Sequence, residues 1–314
     1  MRIEQPFHEG ELEAQRRAGE TAAAARNGKA VGDEIMPGAV KFIGQQRLAA
    51  VASIDAGGDV WASLLVGAPG FLAAPDSRHL EADLSRVARD DGDPLWENLR
   101  RNPRLGMLLI EFETRRRLRI NGRVDWARPG LLLLAVDEAY PNCPQYIRRR
   151  EARPALPDTA ASPLAGEQSG TTLTLGQRRW IASADTLFVA SAHATRGADV
   201  SHRGGAPGFV RIIDERTLRV PDYRGNGMFN TLGNLTLDPR AGLVLLDFDS
   251  GRTLQLVGRA EIRWHADDAG TESKGTDRCW DFQVRRWREA TLASPIAWDS
   301  IADPPARSSP DSSL

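Results

Sequence analysis

An internal repeat constrains this chain more than any other feature of its sequence. Glu97–Arg123, ENLRRNPRLGMLLIEFETRRRLRINGR, aligns without a gap on Gly233–Arg259, GNLTLDPRAGLVLLDFDSGRTLQLVGR, and 11 of the 27 positions are identical. Upstream, the GAPGF of Gly67–Phe71 recurs at Gly205–Phe209, and Phe42–Arg47 answers Leu175–Arg179. A period near 135 residues is too long for a solenoid, whose units run to roughly 20–50 residues. It marks a duplicated domain. Each copy reads as a meander of β-patterned runs with a short helix ahead of an Asn-Leu-x-x-x-Pro turn. A sheet of about six antiparallel strands has to close or pair to hide its edges. The expected fold class is therefore mainly β: a β-barrel with short helices, present twice and packed as a pseudo-dimer within one chain.

The pattern divides the chain into an N-terminal helical arm (1–36), a first barrel unit (37–153), a linker (154–172), a second barrel unit (173–302) and a disordered tail (303–314). In the arm, Phe7-His8-Glu9-Gly10-Glu11 precedes a polar helix over about 11–26. Leu48–Ile54 and Val60–Val66 flank the hairpin signal Asp55-Ala56-Gly57-Gly58. Pro94–Arg101 reads as a short helix, and Leu105–Phe112, Leu118–Val124 and Leu131–Ala139 as strands. Asn142-Cys143-Pro144 is expected to open a basic helix over 145–153. In the second unit, Leu173–Ala184 and Met228–Leu235 read as helices. Asp185–Ala192, Phe209–Ile213, Thr217–Val220, Leu243–Phe248, Thr253–Ile262 and Cys279–Trp287 read as strands.

Composition narrows the function. The net charge of −1 over 314 residues offers no basic field for nucleic acid. Cys143 and Cys279 lie far apart, so neither a disulfide framework nor a cysteine-rich zinc site is expected. The arm has no apolar core of the secretory kind and no apolar run spans a bilayer, which implies a cytoplasmic protein without membrane or nucleic-acid partners. One His-Glu pair, His8-Glu9, is too little for a metal site.

The richest polar stretch is Asp199–Pro239, DVSHRGGAPGFVRIIDERTLRVPDYRGNGMFNTLGNLTLDP. Arg203, Asp222, Tyr223, Asn226 and Asn230 fall within it between β-patterned runs and a helix start. Strand–turn–helix geometry aims backbone N–H groups and a positive dipole end at one spot, which suits a phosphate. The two copies differ here: the Ser201-His202-Arg203 run of the second unit is Ser63-Leu64-Leu65 in the first, so the candidate cation is kept in one copy only. Arg203 also admits the plainer reading of a surface ion pair, and His202 that of a structural residue on the other strand face. Asn230 can cap a helix and contact phosphate together, whereas Asn234, repeated as Asn98, reads as structural. Tyr223 fits stacking on a ligand ring or packing, and Cys143 a redox thiol or an inert turn residue.

These residues resemble the pyridoxamine 5′-phosphate oxidase-related flavin-binding proteins, the split-barrel flavoproteins. The likeness rests on the helix with Asn-Leu-x-x-x-Pro and the Leu-rich strand ending in Gly-Arg. Asp199–Gly205, Gly208-Phe209-Val210, Val220–Tyr223, Gly225-Asn226, Phe7–Glu11 and Asn142–Ile147 are similar to one bacterial branch, and the whole covers most of residues 7–300. The resemblance implies FMN bound where two barrels meet. Ser201, His202, Arg203, Pro221, Asp222, Tyr223, Asn226, Asn230 and Thr231 are the cofactor-binding candidates, with no metal and no assigned catalytic side chain. It also implies a wall from the first unit, to which Trp61 or Trp96 could give an aromatic edge. The basic pair of the oxidase proper is replaced by Gly227-Met228, and its C-terminal Trp-Gly-Gly and Arg-Leu-His-Asp-Arg signatures are missing, so pyridoxamine phosphate is not the expected substrate. The leading expectation is an FMN-dependent oxidoreductase serving a small-molecule substrate or a redox partner protein, as an internal pseudo-dimer or a further homodimer. Two alternatives stay open. One is a non-catalytic flavin-nucleotide carrier or sensor. The other is a haem-binding split barrel using His8, His193, His202 or His265.

Overall fold

The structure, a computed structural model, describes residues 3, 5–128, 130–155, 167–266, 275–292, 294 and 296–302. The arm folds as two helices, α1 (Glu9–Ala18) and α2 (Thr21–Asn27), rather than one. Gly19 breaks the run in the left-handed region (φ 69°), where glycine stops a helix without steric cost. After α3 (Val40–Gly44) come β1 (Leu48–Ile54), β2 (Val60–Val66), β3 (Leu72–Ala73), β4 (His79–Asp83), α4 (Leu95–Arg101), β5 (Arg104–Glu111), β6 (Arg116–Arg128) and β7 (Leu131–Asn142). Then follow β8 (Arg150–Pro154), β9 (Gln168–Gly170), α5 (Leu175–Ser183), β10 (Thr186–His193), β11 (Gly197–Gly204), β12 (Arg211–Ile212) and β13 (Thr217–Pro221). The chain continues through α6 (Asn230–Leu237), β14 (Arg240–Leu246), β15 (Arg252–Arg263), β16 (Cys279–Thr291) and β17 (Ile296–Ser300). Among the described residues no helix is long and apolar enough to cross a membrane.

The two units repeat strand for strand. One sheet runs β2-β1-β5-β6-β7-β4-β3 and the other β11-β10-β14-β15-β16-β13-β12. The repeated Gly-Arg at the end of each aligned segment has a structural cause. Both β6 and β15 carry a register shift next to that glycine, at Asn121/Gly122 and at Val257/Gly258. A Cβ on either residue would run into a carbonyl of the neighbouring strand, that of Ala135 or of Gln283. Only glycine lets the long strand bend over its own barrel there.

Each barrel has its own apolar interior, around Met107, Leu109 and Ile120 in unit 1 and around Leu243, Leu245 and Trp280 in unit 2. A third cluster lies between the units and draws Ala50, Ala62, Leu108, Phe188, Val200 and Val244 from both. Contacts across it obey a pseudo-two-fold. A Cβ at Gly106 would come within 2.5 Å of the Ala198 carbonyl, and one at Gly242 within 2.5 Å of the Val60 carbonyl. Likewise the Gln255 amide donates to the Ala62 carbonyl at 2.9 Å, and the Arg119 guanidinium to the Val200 carbonyl at 2.9 Å. The duplicated halves are thus two tandem split-barrel units packed as a dimer would be.

Two expectations need correction. Residues 145–153 are not a helix: Tyr146 has φ 64°, and Arg150–Pro154 is a strand paired with β17. The five consecutive residues Tyr146–Arg150 dock against both units, through Arg224, Gly205 and Asp185 of unit 2 and Glu113 of unit 1, and those contacts override the local charge pattern. Within the expected linker, Gln168–Gly170 pairs with β16; residues 156–166 lie outside the described residues, as does 303–314. Strands β3 and β4 escaped the pattern because the two residues of β3 carry no period and β4, HLEAD, has only Leu80 and Ala82 to mark its alternation.

Candidate functional site

A cavity of about 120 Å³ opens between the end of β11, the turn after β13 and the start of α6 in unit 2, and β6 with the chain after β7 in unit 1. One water needs roughly 10–15 Å³ of such space, so the cavity has room for a ligand group. The strand period places its walls. Ser201 and Arg203 share one face of β11, and His202 takes the other. The ladder also fixes the comparison between copies. Ser201 pairs with Val189 and Arg203 with Leu187, as Ser63 pairs with Val51 and Leu65 with Ala49. Leu65 is therefore the structural counterpart of Arg203.

Unit 1 supplies two cations that the sequence did not single out. Arg119, buried on β6, reaches across to Asp199 (3.1 Å), the Val200 carbonyl and the Ser201 hydroxyl, and also donates to the Tyr140 hydroxyl at 3.0 Å. Burial disfavours its charge, but Asp199 and Tyr140 outweigh that and raise its pKa. Arg117, two residues earlier on the same strand, donates to His202 Nδ1 at 3.2 Å. Burial, then the neighbouring Arg203 and Arg119, push its pKa down to about 10. Arg203 donates to the His202 carbonyl at 3.2 Å and stands 3.9 Å from Asp222. Burial lowers its pKa too. Asp222 itself makes its closer bond to Arg278, at 3.1 Å.

Among the described residues, Arg117 and Arg203 thus converge with no carboxylate at hydrogen-bonding distance, and each keeps a buried Nε without a partner. The Thr231 hydroxyl, buried in the first turn of α6, also has none. No side chain caps that helix start. Crowded guanidiniums, an orphan hydroxyl and a positive helix end are the donor set of an anion site.

Eight of the nine candidates line this cavity: Ser201, His202, Arg203, Asp222, Tyr223, Asn226, Asn230 and Thr231. Pro221 does not; it is buried in the ladder opposite Cys279. His202 faces the unit interface edge-on to Phe188. Its pKa lies well below the usual range, through burial first and then Arg117, Arg203 and Arg150. Since Nδ1 accepts from Arg117, Nε2 carries the proton of a neutral ring. Tyr223 packs on Tyr146 at 4.8 Å, and that pair is the aromatic wall. Trp61 and Trp96 are spent elsewhere, donating to Asp55 and to the Asp90 carbonyl. Cys143 also borders the cavity, and neither cysteine forms a disulfide. Asn234 is structural as expected, donating to Ser191 at 3.0 Å just as Asn98 does to Ser53.

The symmetry-related cleft is filled by the protein itself. Gln255 stands where the other has Arg119, Thr253 where it has Arg117, and Arg288 where it has Tyr140. Arg288 is clamped by Asp90 (2.7 Å) and Glu167 (3.0 Å). Asp93 accepts from Ser63 at 2.7 Å and from Gln255 at 3.2 Å. An internal carboxylate takes the place that an external anion would need.

His8, Glu9 and His193 gather within 4.8 Å of one another, as ligands of a metal would. Their hydrogen bonds argue otherwise. His8 Nδ1 accepts from the Gly10 amide, and His193 Nδ1 from the Thr195 and Arg196 amides. Both Nε2 atoms therefore carry protons, directed at Asn234 and Glu9. His265 is exposed on the surface.

The family profile described as pyridoxamine 5′-phosphate oxidase matches residues 35–140 and again 176–279. The chain belongs to the pyridoxamine 5′-phosphate oxidase family, with the domain present twice. Solved structures similar to it include HupZ of Group A Streptococcus, at 15% identity over 37% of this chain and 92% of that one, TM-score 0.31. An FAD-binding protein of Mesorhizobium loti matches at 15% identity over 40% of this chain and 99% of that one, TM-score 0.28. A Clostridium acetobutylicum protein related to general stress protein 26 matches at 13% identity over 38% and 87%, TM-score 0.26. No curated protein matches the chain in sequence.

Proposed function

We propose that the protein is an FMN-binding flavoprotein and an oxidoreductase, acting on a small substrate or with a redox partner protein. The observation that carries this reading is the pair Arg117 and Arg203, from different units, meeting at one cavity with no carboxylate at hydrogen-bonding distance. Two guanidiniums balance a terminal phosphate monoester, which carries about −1.5 to −2 charges at neutral pH. In a family whose name is that of an oxidase, FMN is the nucleotide that ends in such a group. When bound, the flavin supplies hydride or electron transfer. The chain's residues bind and orient it. Arg117, Arg203 and the Thr231 hydroxyl would hold the phosphate, Asn226 and Asn230 would border it, and the Tyr146–Tyr223 pair would shield the site from water. Among the described residues that line the cavity no side chain is arranged as nucleophile or general base, and flavin chemistry asks for none.

The test is a visible spectrum of the purified chain and a fluorescence titration with FMN. One FMN per chain is expected, because the second cleft is plugged by Arg288 and Asp93. Absence of flavin uptake, or a haem Soret band, overturns the proposal. Reduction of the bound flavin by a nicotinamide nucleotide, followed by reoxidation at a useful rate, separates an enzyme from a carrier.

A further inference from the structure

The Phe7–Glu11 motif and the helices after it do not line the cavity, yet they hold the turn and the helix start that border one end of it. Helix α1 lies backbone-to-backbone on α6: a Cβ at Gly10 would strike the Gly233 carbonyl, and one at Gly233 would come within 2.5 Å of Glu11. His8 caps α1 and bonds Asn234 at 2.9 Å. Glu11 closes the capping box on the His8 amide at 2.9 Å and accepts from Asn230 at 2.5 Å. Farther along, Gln15 donates to the Met228 carbonyl at 3.2 Å, and Asn27 to the Asn226 carbonyl at 2.7 Å. Glu20 stands 3.6 Å from Arg278.

The turn that these bonds grip is strained. Phe229 has φ 62°, a left-handed conformation that costs a residue with a bulky side chain energy. Such a turn persists only when its surroundings impose it. It carries Asn226 and Gly227 into the cavity and sets where α6 begins. The symmetry-related cleft, beside α4 of unit 1, is the one filled by the carboxylates Asp90 and Asp93.

We infer that residues 7–27 are a clasp that positions the anion end of the cleft, with Gln15 and Asn27 as positioning residues acting through the Asn226–Phe229 turn. The inference rests on the reading of that cleft as a phosphate site. The clasp touches the phosphate end and leaves the Tyr146–Tyr223 wall alone. Its loss therefore discriminates between ligands with and without a phosphate.

Asn27→Ala, at an exposed position, removes one donor without opening the core; Gln15→Met keeps the shape of a buried side chain and removes another. Each variant is expected to weaken FMN binding about three- to tenfold, the worth of one hydrogen bond, and to leave riboflavin binding unchanged. Hydrogen exchange in the unliganded chain supplies a readout that does not depend on any ligand. Protection of the amides over 226–231 should fall in both variants while that of β6 stays as it was. Unchanged protection over 226–231, or equal losses for FMN and riboflavin, overturns the clasp. A wild-type chain that binds no flavin nucleotide overturns the reading of the cleft instead, and hydrogen exchange still decides the clasp.

Discussion

Replacing Arg203 with leucine, the residue that unit 1 carries at the same ladder position, tests the site most sharply. Among the described residues the Arg203 side chain makes one hydrogen bond, to the His202 carbonyl at 3.2 Å, and its nearest carboxylate is Asp222 at 3.9 Å. Asp222 keeps Arg278 at 3.1 Å when Arg203 is gone. Arg117, whose charge Arg203 helps to destabilise, gains from the change. The net effect on the unliganded fold should stay within about 1 kcal/mol, a shift of a few degrees in Tm for a chain of this size. With phosphate bound the balance reverses. A charge-assisted hydrogen bond is worth ~1.5–3 kcal/mol, so Arg203→Leu should raise the Kd for FMN roughly ten- to a hundredfold. Flavin fluorescence titration reads the first quantity and a thermal melt without ligand the second. Riboflavin, which lacks the phosphate, should bind variant and wild type alike. An FMN Kd that does not move refutes the reasoning, and so does a fold that loses more than about 2 kcal/mol without ligand, because Arg203 would then be structural.

Gly106→Ala and Gly242→Ala each place a methyl 2.5 Å from a carbonyl of the other unit and should cost about 1–3 kcal/mol by overpacking; denaturant melts check this, with Gly38→Ala, where nothing lies within 4 Å, as a neutral control. Two buried groups of the arm give opposed pH dependences. Burial and then His193 depress the His8 pKa to about 4 from an unfolded 6.5, so its contribution is full above pH 6.5 and is lost as the pH falls toward 4. Burial raises Glu11 to about 8 from 4.5, so its contribution is full below pH 4.5 and is lost as the pH rises toward 8. In the wild type the slopes oppose one another between pH 4.5 and 6.5, each up to about 1.4 kcal/mol per unit. His8→Asn should expose the falling slope there and Glu11→Gln the rising one, and stability curves that stay parallel to wild type would show these pKa shifts to be absent.

Much of the architecture was legible because repetition supplies information that one copy lacks. The β1–β2 hairpin falls on the bounds that its alternation and Asp55–Gly58 turn require. The alignment of Ser63 with Ser201 and of Leu65 with Arg203 survives in the hydrogen-bond ladders. Local pattern failed where tertiary contact decides. The basic run 145–153 has helical composition, but its backbone is committed to β17 and to the cleft. Pro221 was placed at the site with Asp222 and Tyr223 on the resemblance, whereas it is buried at the end of β13 opposite Cys279 and does not line the cavity.

Arg117 and Arg119 were missed for a different reason, and it is one the sequence could have overcome. Taken alone, RRRLRI is a strand with a solvated charged face. Set over its copy, GRTLQL, it shows arginines in unit 1 where unit 2 has Thr253 and Gln255. That is the reverse of the asymmetry at Leu65 and Arg203. A two-fold between the copies puts β6 of one unit against β11 of the other, and β15 against β2, as Arg119 on Val200 and Gln255 on Ala62 show. Under that symmetry the two departures are not independent. Cations gained on β6 and on β11 meet in the same cleft, and cations absent from β15 and β2 leave the opposite cleft to Asp93 and Arg288. The differences between the copies therefore leave positive charge without matching carboxylates in one of two equivalent places and a paired arginine in the other. The unit that carries Leu65 opposite the Arg203 position is the unit whose Arg117 and Arg119 reach the other unit's cavity.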